Sequence, residues 1–226
     1  GHGVSVNLPP LSPRYEAVQA AWLWDALYPR LRRLALLAAR HDLNFAIDAE
    51  ETDRLVPSLQ LVDRLAHESE LGDWQGLGVV VQAYQKRAPL VIGRLAALGR
   101  DSGRRIMVRL VKGAYWDSEI KRAQVAGRPG YPVFTTKPAT DLSYLVCARA
   151  LIAAAPALYP QFATHNAHTL AAVRRMASAG LRAPSIRAAD LDQSRLAITT
   201  LPTIGTSWLT PRLGRFRAKH PDIQFE

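Results

Sequence analysis

The chain has 226 residues, 48% of them hydrophobic and 21% charged, which sets it as one globular domain, or one and a half, and excludes a disordered chain. The formal net charge of +10 comes from 29 Lys and Arg against 19 Asp and Glu, but the cations are scattered. The densest group, Arg30, Arg32 and Arg33, reads as the solvated face of a helix and not as a nucleic-acid patch. A single cysteine, Cys147, in an apolar stretch excludes a disulfide framework and fits a buried thiol in a cytoplasmic protein.

In chain order, short apolar strands alternate with longer helical stretches. Gly1-His2-Gly3 runs straight into an alternating strand, Val4 to Leu8, and reads as the interior of a longer protein; Pro9, Pro10 and Pro13 then break the run. Leu23, Leu27, Leu31, Leu34, Ala35 and Ala38 recur at helical spacing and predict an amphipathic helix over 15–40. Asn44 to Asp48 predicts a strand, Leu55 to Leu65 a short helix, and the nearly all-apolar Leu77 to Val81 a parallel strand covered on both faces. Leu90 to Leu98 is helical, Ile106 to Val111 a strand, and 117–125 a helix ending at the loop Gly127-Arg128-Pro129-Gly130. Thr140 is placed as the N-cap of a helix to about 155. Gln161 to Thr164 reads as a short strand and Thr169 to Ser178 as a helix. Beyond 180 the period fades; Leu196 to Pro202 is strand-like and 206–219 helical. No apolar run approaches the about 20 residues of a membrane helix, and no charged-then-apolar leader pattern is seen.

About five β-α units in a row imply an α/β fold with a parallel sheet, either doubly wound or a (β/α)8 barrel. No G-x-G-x-x-G follows the first strand, against a dinucleotide Rossmann fold. Polar residues gather at the C-terminal ends of the strands: Asp48, Gln82, Arg109 with Lys112, and His165. Both architectures put their sites there. Five strands contributing to one site suit the barrel better, here an incomplete TIM-type barrel.

Asp48-Ala49-Glu50-Glu51 pairs carboxylates that can do acid-base work, or that simply favour a helix start. Arg109 points into the sheet interior and needs a partner: an anion, a cofactor, or a carboxylate such as Asp48. Gly113 would let a ligand approach the backbone. Tyr115 and Trp116 read as core or as the wall of an aromatic pocket. His165 and His168, three apart, lack a third ligand of suitable spacing, so no metal site is expected and a hydrogen-bonding His165 is.

Four runs together, NFAIDAEETDR (44–54), GVVVQAYQKR (78–87), MVRLVKGAYWDSEIKRAQ (107–124) and YPQFATHNAHT (159–169), resemble the proline dehydrogenase domain of bacterial PutA (proline utilization A) proteins. The resemblance covers about residues 3–176 and places a partial barrel over 1–179. It implies a (β/α)8 barrel that binds FAD and oxidises L-proline to Δ1-pyrroline-5-carboxylate, hydride passing from proline C5 to the flavin, with membrane quinone as electron acceptor. It also implies a cytoplasmic protein, peripheral to the inner membrane in full-length relatives. Carried onto this sequence, Arg109 matches the arginine beside the flavin ring, and Val111, Gly113 and Trp116 match flavin-contacting positions. Gln82 matches a flavin-bonding glutamine, Thr135 and Lys137 hold the rest of the FAD, and His165 touches the cofactor. Asp48 belongs to the polar network of the active site and Tyr115 to its substrate side.

Two departures affect the substrate side. The family carries a lysine for the proline carboxylate where this chain has Asn7, and no R-R-x-x-E-N segment, the family's paired arginines, is found. The expectation is an FAD-dependent proline dehydrogenase that is truncated and impaired, its flavin side kept and its carboxylate cations missing, or else a non-catalytic remnant or fusion. The tail LAITTLPTIGTSWLTPRLGRFRAKHPDI (196–223) resembles the opening of a LysR-type effector-binding domain. With a junction at 180–195, it predicts an unrelated β-α-β segment over 196–226, and a ligand-sensing module as a third reading.

Overall fold

A computed structural model describes residues 3–11 and 23–180. Five strands form one parallel sheet in sequence order: β1 (Gly3–Val6), β2 (Asn44–Ile47), β3 (Leu77–Gln82), β4 (Ile106–Val111) and β5 (Leu158–Phe162). Between and after them run α1 (Leu8–Leu11), α2 (Tyr28–Arg40), α3 (Leu55–Ala66), α4 (Ala88–Ser102), α5 (Trp116–Val125), α6 (Lys137–Ala153) and α7 (Ala167–Gly180). Repeated β-α units in strict order are the wall of a TIM-type barrel, here five strands of it. The expected junction at 180–195 and the tail over 196–226 lie outside the described residues, as does the first part of the helix predicted over 15–40.

Local chemistry explains the helix bounds. Pro29, Pro89 and Pro138 sit in the first turns of α2, α4 and α6, where a missing N–H costs nothing. Gly103 ends α4 in a left-handed conformation, φ 67°, that a side chain would strain. α2 starts at Tyr28, preceded by a π-type turn over Leu23–Leu27.

Three boundaries differ from expectation. Pro9 and Pro10 end the first strand but fall inside the short helical turn α1, since prolines suit a first turn. α6 begins at Lys137 with Thr136 at its N-cap; Thr140 lies buried one turn in. β5 begins at Leu158 and carries Pro160 within it, opposite Val108. Among the described residues β5 pairs only with β4, so a proline without a donor is tolerated there.

Every residue of β3 is buried, as its apolar run predicts. The core packs Val79, Val81, Val108 and Leu110 of the sheet against Leu61, Leu65, Ile92, Leu95, Tyr144 and Leu151 of the helices. At the N-terminal ends of the strands, Arg104 is buried and capped by three carbonyls. Its Nε donates to Ala66 O at 2.7 Å, Nη1 to Trp74 O at 2.7 Å and Nη2 to Glu68 O at 3.0 Å. It ties the end of α3 to the loop that leads into β3. Among the described residues, no helix is long and apolar enough to cross a membrane.

Candidate functional site

The C-terminal ends of β1 to β4 bring the expected polar residues together. Arg109 on β4 donates through Nη2 to Asp48, just beyond β2, and to Ser5 Oγ on β1 at 3.2 Å. Strands lie about 4.8 Å apart, so β1 and β4 would be about 14 Å apart in a flat sheet. One side chain bridges them because the sheet curls. The carboxylate partner considered for Arg109 from its spacing is therefore the partner it has, and both side chains remain about one-third exposed.

Gln82, 3% exposed, closes β3 against its neighbours. Its Nε2 donates to Glu50 O at 2.9 Å and its Oε1 accepts from Ala114 N–H at 2.9 Å. One amide hydrogen of Gln82 is left after these bonds. Ala83 N–H and Tyr84 N–H continue the pairing onto Val111 O and Lys112 O. Gly113 follows. A Cβ there would lie 2.4 Å from the Tyr84 ring, so what approaches that backbone in this structure is Tyr84.

Tyr115 and Trp116 part company at the start of α5. Burial, then the nearby carboxylates of Glu50, Glu51 and Asp48, push the Tyr115 hydroxyl above its ordinary pKa. Trp116 is 43% exposed, its Nε1 donating to Phe134 O at 2.9 Å, so it is a surface ring and not core. Thr135, Lys137 and His165 are exposed around the same end of the sheet, and Val111 is half-buried. Lys137 donates to Asp141 Oδ2 at 2.6 Å, while Lys112 bonds the other oxygen and lies 3.5 Å from Thr169 Oγ1. Lys112 and then Lys137 hold the Asp141 carboxyl below the ordinary range.

Several contributors escape a reading along the chain. Buried Glu119 on α5 accepts from Thr52 N–H at 2.6 Å and Thr52 Oγ1 at 2.7 Å. Arg122 reaches Glu51 at 2.8 Å and Arg128 reaches Asp53 at 3.3 Å. Arg87 donates to Thr52 O. The loop after β2 is thus fastened by α5, by the loop after it and by the start of α4. Glu119 and Ser5 have no local signal; partners 67 and 104 residues away define them, while Asp141 joins the local Lys137 to Lys112, 29 residues away. No group of three metal-ligating side chains occurs among the described residues.

The arrangement offers a half-open guanidinium held by a carboxylate, an exposed indole, and a rim of Thr, Lys and His donors. That donor set matches a planar, partly anionic ligand: the indole for a ring, the cations and hydroxyls for phosphate oxygens. FAD, the cofactor expected from the resemblance, has this chemistry, and the residues present fit it.

The family model for proline dehydrogenase matches residues 1–192. The bifunctional protein PutA of Escherichia coli K12 is 57% identical over 177 residues, 78% of this chain and 13% of that protein. A hydroxyproline dehydrogenase of Rattus norvegicus is 31% identical over 170 residues, 70% of this chain and 36% of that protein. A crystal structure of a point mutant of Bradyrhizobium japonicum PutA superposes with a TM-score of 0.76 at 53% identity, over 78% of this chain and 18% of that one. PutA from Bdellovibrio bacteriovorus inactivated by N-propargylglycine gives 0.74 at 31%. The chain thus spans less than a fifth of the PutA proteins it matches.

Proposed function

The chain belongs to the proline dehydrogenase family, and on that premise we propose that it carries the flavin side of an FAD-dependent site that oxidises L-proline to Δ1-pyrroline-5-carboxylate. The observation that carries this reading is Arg109, fixed by Asp48 and Ser5 yet one-third exposed at the strand ends. Bound flavin would supply the two-electron acceptor for the hydride from proline C5. This chain's residues do the rest. Arg109 holds fixed positive charge where negative charge develops, without reorganising at that moment. Asp48 fixes its orientation. Gln82 locks the β3 end to the loops on either side. Thr135, Lys137 and His165 hold the remainder of the cofactor, with Val111, Gly113 and Trp116 along its ring system. Tyr115 walls the substrate side. Quinone is the electron acceptor in this reading.

A second reading, flavin binding with weakened proline turnover, is favoured by Asn7. This exposed residue follows β1 where the resemblance expects a lysine. An amide donates a hydrogen bond to a carboxylate but brings no charge. The test is to purify the chain, record its visible absorbance for bound flavin, and assay dye reduction with L-proline. Flavin with proline-dependent reduction supports the first reading; flavin without it supports the second. A soluble chain that takes up no flavin defeats both.

A further inference from the structure

Glu119 and Thr52 are each 2% exposed, and they bond one another twice. Both side-chain oxygens of Glu119 accept, Oε1 from Thr52 N–H at 2.6 Å and Oε2 from Thr52 Oγ1 at 2.7 Å. The two residues belong to different halves of the strand-end site. Thr52 lies four residues past Asp48, on the loop that leaves β2. Glu119 stands in the first turn of α5, where an acid faces the positive end of the helix, and its N–H donates to Tyr115 O at 2.9 Å.

A second tie runs beside the first. Gln82 joins Glu50 O to Ala114 N–H, each bond 2.9 Å long. The loop 50–52 is thereby stitched to the segment 114–119 at two points. One tie would leave a hinge; two fix the angle between the loop and the helix start. Arg122 also reaches Glu51, but its side chain is 47% exposed, and pairs so placed hold weakly. Upstream, Asp48 N–H donates to Val6 O at 2.9 Å, and the Asp48 side chain accepts from Arg109. The segment carrying Asp48 is thus held by β1 at one end and by Glu119 at the other. We propose that Glu119 is a positioning residue, clamping Thr52 so that Asp48, and Arg109 through it, stand at a fixed place opposite Tyr115 and Trp116. The role rests on the reading of this end as the proline-oxidising site. There a misplacement of about 1 Å lowers a rate by about 10²-fold.

The test uses the full chain and two variants. Glu119→Ala removes both acceptors. Glu119→Gln keeps both contacts, its carbonyl accepting from Thr52 N–H and its amide donating to Thr52 Oγ1. Hydrogen exchange needs neither flavin nor turnover. In Glu119→Ala the amides of 48–54 should exchange about 10–100-fold faster while those of β3 stay unchanged, and Glu119→Gln should recover most of the difference. In proline-dependent dye reduction Glu119→Ala should lower kcat about 10–100-fold, again largely recovered by Glu119→Gln. In an Arg109→Met background the alanine substitution should change kcat less than about twofold, because its effect passes through Arg109. Unchanged exchange at 48–54, faster exchange throughout the chain, a glutamine no better than alanine, or a full kcat loss persisting without Arg109 overturns the proposal. If Glu119→Ala does not fold, Thr52→Val, which removes the hydroxyl alone, takes its place with both effects reduced to about fivefold. Failure of both variants to fold makes the contact merely structural and overturns positioning. An inactive wild type defeats the proline-oxidation reading, and exchange at 48–54 then decides the clamp by itself.

Discussion

Arg104 and Glu50 are both buried charged residues on this small sheet, at opposite ends of its strands, and their surroundings differ in kind. Each nitrogen of the Arg104 guanidinium has a backbone carbonyl, from three points between Ala66 and Trp74. Glu50 leaves Oε1 without a partner among the described residues and has acids on either side. The N-terminal end of a barrel sheet serves the fold, and there a buried charge is saturated. Barrel folds place their ligand sites at the C-terminal end, and here the side chains at that end are held but left with bonding capacity: one amide hydrogen on Gln82, a third of the Arg109 surface.

The sharpest test of that contrast is Arg104→Ala. It strands three buried carbonyls, and we expect a loss of about 3–5 kcal/mol in urea unfolding; a loss under about 1 kcal/mol would dissolve the contrast. Arg109→Met should leave stability nearly intact and, on the proposed reading that its charge serves the reacting centre, lower proline-dependent dye reduction by about 10²–10³-fold. Equal damage to stability and rate would make Arg109 a second Arg104. Asn7→Lys adds a charge at the open end. A charge-assisted bond to the proline carboxylate contributes roughly 1.5–3 kcal/mol, so KM for L-proline should fall about 10–100-fold. The smallest effect belongs to Lys137→Ala, which removes an exposed helical pair with Asp141 and should cost about 0.3–0.5 kcal/mol. Because Asp141 is depressed, that contribution is present above the unfolded carboxylate pKa and disappears as pH falls through the folded one, measurable as convergence of the two unfolding curves in acid.

Much of the architecture was legible along the chain because it is written in local periods. The buried run of β3 and the spacing of Leu31 and Ala35 in α2 speak for themselves. The strand-end cluster was legible as a set of positions, and the Asp48–Arg109 pair as an alternative, since a cation aimed inward requires an anion. What sequence alone concealed was long-range. Nothing near Glu119 announces Thr52, 67 residues earlier, and nothing near Arg104 announces the end of α3. Thr140 misled because a threonine before an apolar stretch is a good cap, yet Thr136 and Pro138 form the true start. The strand expected from Gln161 begins at Leu158, with Pro160 inside it, because among the described residues it lies at the border of the sheet, where a missing donor is tolerated.

The reach of Arg109 from β4 to Ser5 on β1 has a mechanical side. It works as a spoke across a curved wall, joining the first strand to the fourth without passing through the two between. Whatever draws Asp48 or Ser5 away from that guanidinium slackens the spoke, and whatever flattens the wall pulls the guanidinium from its partners. A distance probe between β1 and β4 would report on the curvature that this contact spans.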